Sequence, residues 1–129
     1  MKSRQLDEAG VEAAALDILE ALGYASLRGG EIAPGEPGAE RGSFSEAVLG
    51  DRFRESLRRL NPDLPAEALE EAVRRDTLPQ QPSLLANNRA LHRMLVEGVA
   101  VECRRPDGSI GTQLVQLVDF HHPDANDWW

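Results

Sequence analysis

Residues 99–120 read VAVECRRPDGSIGTQLVQLVDF, and this stretch decides the fold class because the apolar period changes there from helical to strand-like. Val99, Val101 and Cys103 alternate with other residues, as on a strand with one buried face. Turn-forming residues follow at 106–109, and the run 114–120 is apolar on both faces, as in a central strand. The stretch therefore predicts a β-hairpin, with Cys103 as a buried, inert thiol.

The first half of the chain predicts two helices separated by a long loop. Apolar residues recur at steps of three and four over about 7–22, which indicates a helix. Residues 24–27 then predict a short strand, and the glycine-rich stretch 29–42 predicts an extended loop. Ser43 and Glu46 form a capping-box pattern that predicts the start of the second helix.

Two further helices are predicted before the hairpin. The second helix ends at Asn61-Pro62, and Pro65 suits the first turn of a third helix. Ser83 is the expected N-cap of a fourth helix, which Gly98 ends. The sequence thus predicts one mixed α/β (α+β) domain over residues 1–129, with about four helices, a β-hairpin and a short N-terminal strand.

The charge balance limits the possible functions. The chain of 129 residues has 14 Lys+Arg and 22 Asp+Glu, a net charge of −8, so nucleic-acid binding would need a local basic patch. Lys2 is the only lysine, and it lies at a terminus where fraying is expected. This excludes a complete P-loop and a Schiff-base site, each of which needs a placed lysine.

The remaining composition indicates a soluble protein of the reducing cytoplasm. A single cysteine excludes an internal disulfide. Acidic residues in the first helix interrupt any signal-peptide pattern, and no apolar run is long enough to cross a membrane. We therefore expect a cytoplasmic location and no membrane partner.

Paired arginines are candidates for phosphate contact, with ion pairing on a solvated helix face as the alternative. The pairs are Arg58-Arg59, Arg74-Arg75 and Arg104-Arg105, with Arg52 and Arg54 nearby. Glutamates four residues before three of these arginines favour ion pairing, namely Glu55 before Arg59, Glu70 before Arg74 and Glu71 before Arg75.

Two polar clusters have structural and functional interpretations. The C-terminal residues His121, His122, Asp124 and Asp127 are potential metal ligands, but adjacent histidines on an extended chain point to opposite sides, so we assign no metal site. Asn87 and Asn88 are poor helix formers within the fourth helix, and a structural hydrogen bond is favoured over a ligand contact.

Eight segments in chain order form a pattern that resembles a known family. They are Gly23-Tyr24; Ile32-Ala33-Pro34; Glu40-Arg41; Val48-Leu49 with Arg52; Leu60-Asn61-Pro62-Asp63-Leu64-Pro65; Ser83-Leu84-Leu85-Ala86-Asn87-Asn88-Arg89 with Leu91-His92; Val96-Glu97-Gly98-Val99; and Leu117-Val118-Asp119-Phe120 with Pro123 and Asn126-Asp127. From about Leu6 to Trp129, the chain resembles the N-terminal region of the restriction (R) subunit of type I restriction-modification enzymes.

The resemblance implies the opening part of a PD-(D/E)xK nuclease domain. It implies that the complete subunit cleaves DNA with Mg²⁺, moves DNA with ATP, and assembles with modification and specificity subunits. The family's catalytic Asp and Glu-x-Lys come after the segment equivalent to Asn126-Asp127, and they have no counterpart in these 129 residues. We therefore expect the chain alone to hold no cofactor and to be inactive.

Three residues are site candidates under this resemblance. Nucleases of this kind often carry an acidic residue on the first helix near the metal, a place that Glu12 occupies, so Glu12 is a candidate accessory catalytic carboxylate. Arg41, in the glycine-rich loop, and Arg52, in the second helix, are candidates for DNA binding.

Two hypotheses of different class follow. The chain is a fragment or truncated copy of a type I restriction subunit, or it is a non-enzymatic interaction module that docks on restriction subunits or other proteins. An in-frame continuation that contains the Asp and the Glu-x-Lys favours the first hypothesis, and a stop codon favours the second. A stand-alone DNA binder fits poorly with a net charge of −8.

Overall fold

A computed structural model describes residues 7–127, which divide into two compact units, 7–44 and 45–127. The only lysine, Lys2, and the two C-terminal tryptophans lie outside the described residues. Helix α1 of the first unit is Glu8–Ala21, as predicted. The Asp7 carboxylate caps it by accepting a hydrogen bond from the Gly10 N–H at 2.9 Å, and Gly23 ends it with a positive φ of 97°.

The predicted strand at residues 24–27 is wrong. Residues 24–28 have no regular secondary structure, and the segment 29–42 is a series of turns and bends, as expected for that loop. Local backbone hydrogen bonds include the one from the Glu31 N–H to the Arg28 carbonyl. No other strand of the described residues pairs with this segment, and a β-prone stretch alone does not make a strand.

The second unit contains three helices and a two-stranded antiparallel sheet. In chain order its elements are α2 (Gly50–Leu60), α3 (Ala66–Thr77), α4 (Leu84–Glu97), β1 (Val99–Arg104), β2 (Ile110–Val115) and a 3₁₀ turn at Pro123–Ala125. With α1, the described residues therefore form four helices and a hairpin, which confirms the mixed α+β class.

The helix starts were predicted with unequal success. The capping box at Ser43 and Glu46 is wrong, because α2 begins only at Gly50 and has no side-chain cap. The ends near Pro65 and Gly98 are confirmed, and the Ser83 hydroxyl accepts a hydrogen bond from the Ala86 N–H. Packing of Leu57 into the core, more than local capping, thus fixes α2.

The hairpin is confirmed, but its second strand, Ile110–Val115, begins and ends earlier than the predicted strand 114–120. Val99 pairs with Val115 and Arg104 with Ile110, across a turn in which the Asp107 carboxylate accepts a hydrogen bond from the Ser109 N–H. The predicted strand 114–120 belongs to β2 only as far as Val115. After Val115, the side chain of Asn61, instead of a neighbouring strand, forms the hydrogen bonds of the Gln116 backbone.

The core of the second unit lies between the hairpin and helices α2 and α3. Its buried residues come from α2, α3, both strands and the segment after β2: Leu57, Ala68, Leu69, Ala72, Val73, Val99, Val101, Cys103, Val115 and Leu117. Cys103 is buried, as predicted. Helix α4 contributes no buried residue and meets the core through the partly buried Met94.

Candidate functional site

The segment that follows β2 is held by Asn61, the residue that ends α2. Asn61 is only 8% exposed. Its Oδ1 accepts a hydrogen bond from the Gln116 N–H at 2.8 Å, and its Nδ2 donates to the Gln116 and Leu57 carbonyls, both at 2.9 Å. The amide thereby replaces the partner strand that Gln116 lacks and ties the hairpin to α2.

Asn126 makes the same two-point contact with the backbone of Asp119, three residues after Gln116. The Asn126 Oδ1 accepts a hydrogen bond from the Asp119 N–H, and its Nδ2 donates to the Asp119 carbonyl, both at 2.8 Å. The Asp119 carboxylate accepts from the N–H groups of His121 and His122 at 2.9 Å. These bonds, chiefly that of the His122 N–H, lower the pKa of Asp119.

Asp127 joins the segment 116–127, which follows β2, to helix α2. Its Oδ2 accepts a hydrogen bond from the Ser56 hydroxyl and forms an ion pair with the Arg59 Nη2, both at 2.9 Å. Arg59, followed by Ser56, lowers the pKa of Asp127, and the nearby charge of Arg52 adds to the effect. The C-terminal acidic residues thus serve as anchors of the loop.

Potential metal ligands do not cluster in the described part of the chain. Among residues 7–127, no group of three or more His, Cys, Asp or Glu side chains is arranged to hold a metal ion. His122 faces Asp119 at 3.2 Å.

Ion pairs hold four arginines of α2 and α3, namely Arg54, Arg59, Arg74 and Arg75, but mostly not with the predicted partners. Of the three predicted pairs, only Glu71–Arg75 forms, at 2.7 Å. Glu71 also binds Arg74 at 2.7 Å, Glu70 binds Arg54 of α2 at 3.0 Å, and Arg59 binds Asp127. The hydrogen bonds of Arg74 and then of Arg75 lower the pKa of Glu71 to about 2.

Helix α4 differs, because its arginines have no such partners. Arg89 and Arg93 are exposed, and neither guanidinium has a hydrogen bond or ion pair with any residue between 7 and 127. Both line two surface hollows on either side of them, of about 390 and 470 Å³. Gln81 and Ser83 line the first hollow, and Asn88, His92 and Glu97 line the second.

Asn87 confirms the structural interpretation for one of the two asparagines within α4. Its Oδ1 accepts hydrogen bonds from the N–H groups of Gln80 and Gln81, and its Nδ2 donates to the Gln81 carbonyl at 3.0 Å. The connector before α4 is therefore fixed to the helix, which sets the rim of the first hollow.

The three predicted site residues fall in different parts of the chain. Glu12 is exposed on α1, and the Arg41 guanidinium lies over the Phe44 ring at 5.8 Å from its centre, both within the first unit. Arg52 is half-buried on α2, in the second unit, close enough to Asp127 to affect its pKa. Their predicted roles stay predictions.

Sequence reasoning missed Arg89 and Arg93, although a signal was present. Residues 77–96 contain no Asp or Glu, in a chain that has 22 of them. Neither arginine has an acidic residue four positions before it, the arrangement that favours ion pairing within a helix.

Comparison with known proteins shows the family. A family model described as "Type I restriction enzyme R protein N terminus" matches residues 5–129. The chain belongs to this family. Type I restriction R proteins of two organisms are similar to it. One is the type I restriction enzyme HindI endonuclease subunit of Haemophilus influenzae, 32% identical over 117 residues. The other is the putative type I restriction enzyme MjaIXP endonuclease subunit of Methanocaldococcus jannaschii, 30% identical over 118 residues.

These alignments cover most of this chain but little of its relatives. They span 91% and 92% of this chain, and 11% of each endonuclease subunit. No solved structure matches the chain significantly. Within the described residues of this R-protein N terminus, no helix is long and apolar enough to cross a membrane.

Proposed function

We propose that this chain is the opening part of a type I restriction subunit that, when complete, cleaves DNA. The match of the R-protein N-terminus model to residues 5–129 carries the proposal. In the complete subunit, Mg²⁺ would stabilise the charge that develops during phosphodiester hydrolysis, and ATP would drive movement along DNA. Modification and specificity subunits, in the cytoplasm, would complete the assembly.

The chain would contribute structure and contacts, with the metal-binding centre outside it. A PD-(D/E)xK centre uses an Asp, a Glu and a Lys, and these 129 residues contain no Glu-x-Lys, since Lys2 is the only lysine. The chain also spans only 11% of each relative. Glu12 would be an accessory carboxylate, and Arg41 and Arg52 would lie toward DNA.

Co-expression tests this proposal. The full reading frame, purified with modification and specificity subunits of the same restriction system, should cut DNA that carries their recognition sequence, and only with both Mg²⁺ and ATP. Glu12→Gln should reduce the rate, and the 129-residue chain alone should show no cleavage. Metal-dependent cutting by the pure 129-residue chain, lost in Glu12→Ala, would contradict the incomplete centre.

Exposed apolar side chains support a second candidate function, docking on other subunits without catalysis. Leu114 and Phe120 are 60% and 59% exposed, and they line a hollow of about 280 Å³ with Val96. Apolar groups collected in this way often mark protein contacts. A complete subunit that assembles with its partners but never cuts DNA would favour this function.

A further inference from the structure

The acid-free segment 77–96 gives α4 a local positive charge in an acidic protein. The chain carries a net charge of −8, yet these residues include Arg89, Arg93 and His92 and no carboxylate. Exposed charges are screened over about 8–10 Å at ordinary salt, so the local excess, more than the net charge, governs what approaches α4.

Arg89 and Arg93 face the same side of α4. They are one turn apart, with Cβ atoms about 5–6 Å from each other, so both guanidiniums can reach one short stretch of a ligand. Like charges at this spacing disfavour the helix. Neither arginine is neutralised by a residue between 7 and 127, although Glu97 lines the same hollow as Arg93.

Polar side chains that can donate hydrogen bonds surround this pair. Gln81 and Ser83 line the hollow on one side, and Asn88 and His92 line the other. A guanidinium binds a phosphate through two parallel hydrogen bonds, and neutral donors nearby commonly add contacts to the same backbone. Apolar side chains complete the linings, namely Leu85, Ala86 and Ala90 in the first hollow and Val96 in the second. The two guanidiniums are therefore the groups that select an anion such as a phosphate over a cationic ligand.

We propose that Arg89 and Arg93 bind phosphates of the DNA backbone. This inference rests on the proposed function, which supplies DNA as the polyanion. Four arginines of α2 and α3 already have carboxylate partners, so contact with phosphate would break an existing ion pair. Binding at α4 breaks none among the described residues. Arg89 and Arg93 would form the local basic patch that DNA binding needs in a chain with a net charge of −8.

Fluorescence anisotropy with a labelled short DNA duplex tests this inference on the purified 129-residue chain. The variant is Arg89→Gln/Arg93→Gln. The matched control is Arg74→Gln/Arg75→Gln, which removes the same charge from arginines of α3 that Glu71 holds in ion pairs. Far-UV circular dichroism verifies that both variants fold.

The α4 variant should lose about tenfold or more in affinity, as expected for two charge-assisted hydrogen bonds. Between about 50 and 200 mM salt, its slope of log affinity against log salt should flatten by about 1.8. The control should stay within about threefold of wild type. Equal losses in the two variants, or no loss at α4, would overturn the assignment.

Two further results separate this inference from the proposed function. A nucleoside triphosphate at matched phosphate concentration should not displace the duplex, and displacement would assign the arginines to free nucleotide instead of DNA. Wild-type protein that binds no duplex at low salt would overturn the inference, while cleavage by the complete subunit would still support the proposed function. DNA binding through α4 in a subunit that never cuts would support only the inference.

Discussion

Helices α3 and α4 are of similar length, 12 and 14 residues, but they relate to the rest of the molecule in opposite ways. Helix α3 buries Ala68, Leu69, Ala72 and Val73, whereas α4 buries no residue. The last-turn arginines of α3 share Glu71, whereas Arg89 and Arg93 have no partner among residues 7–127.

The difference separates scaffold from contact surface. A helix stabilised by an apolar face can satisfy its charges internally, as α3 does with Glu71. Helix α4 is tied in its first turn by Asn87 and at its end by Gly98, and it leaves Arg89 and Arg93 exposed. Charge and burial together thus identify α4 as the surface available to a ligand, which neither property establishes alone.

The largest effect should come from matched leucine truncations on the two helices. Leu69 of α3 is 6% exposed and Leu84 of α4 is 78% exposed. Leu69→Ala should lower the free energy of unfolding by about 2–5 kcal/mol, because it leaves a cavity in the core. Leu84→Ala should change it by no more than about 0.5 kcal/mol. Urea unfolding measures both, and equal losses would remove the distinction between the helices.

The next effect concerns the asparagine that joins α2 to the hairpin. Asn61→Ala should cost about 2–4 kcal/mol in the free energy of unfolding, because the Gln116 N–H and carbonyl lose their buried partner. Asn88→Ala, on the exposed middle of α4, is the matched control and should be near neutral. A neutral Asn61→Ala would show that water replaces the amide without loss.

Two acids of α3 should give the stability of the fold opposite pH dependences. The pKa of Glu71 is lowered to about 2 by Arg74 and Arg75, so its contribution is complete above its ordinary value of 4.5 and is lost as the pH falls toward 2. Burial raises the pKa of Asp76, whose Oδ1 has no hydrogen-bond partner among residues 7–127, so stability falls as the pH rises through that raised value.

Thermal unfolding from pH 2 to 8 measures both effects. Glu71→Gln should weaken the loss of Tm at acid pH, and Asp76→Asn should weaken the loss of Tm above the ordinary Asp pKa of 3.8. Unchanged profiles in both variants would mean that other groups control the pH dependence.

The smallest effect on stability should come from the arginines of α4. Arg89→Gln/Arg93→Gln should alter the free energy of unfolding by less than about 0.5 kcal/mol. Arg75→Gln should cost about 1 kcal/mol, because the Arg75 Nη1 donates to the Ala100 carbonyl of β1 at 2.8 Å. Chemical denaturation of the two variants compares them. A larger loss at α4 would reveal a structural role for its arginines.

Much of the fold could be predicted because its signals are local. Turn residues fix the hairpin at 106–109, and caps fix α4 at Ser83 and Gly98. The strand at 24–27 and the start of α2 at Ser43 were wrong, because a strand needs a partner and α2 is fixed by its packing. Strand β2 ends where Asn61, a residue distant in sequence, bonds to Gln116. The alternation of apolar residues alone therefore could not predict this end.

The site was harder to predict because ion pairs form between elements. Arg54 binds Glu70 and Arg59 binds Asp127, choices that helix spacing cannot anticipate. Of the six arginines in adjacent pairs, three have carboxylate partners, namely Arg59, Arg74 and Arg75. The acid-free run around Arg89 and Arg93 was visible in the sequence, but its meaning depends on knowing which arginines have partners.

The most direct test of α4 as the DNA-facing surface is an NMR titration of the arginine Nε–H resonances with a short duplex. Arg89 and Arg93 should shift progressively with added DNA and return when salt is raised. Arg54, Arg74 and Arg75, held by Glu70 and Glu71, should stay in place. Shifts confined to the arginines of α2 and α3, with Arg89 and Arg93 unmoved, would contradict the account.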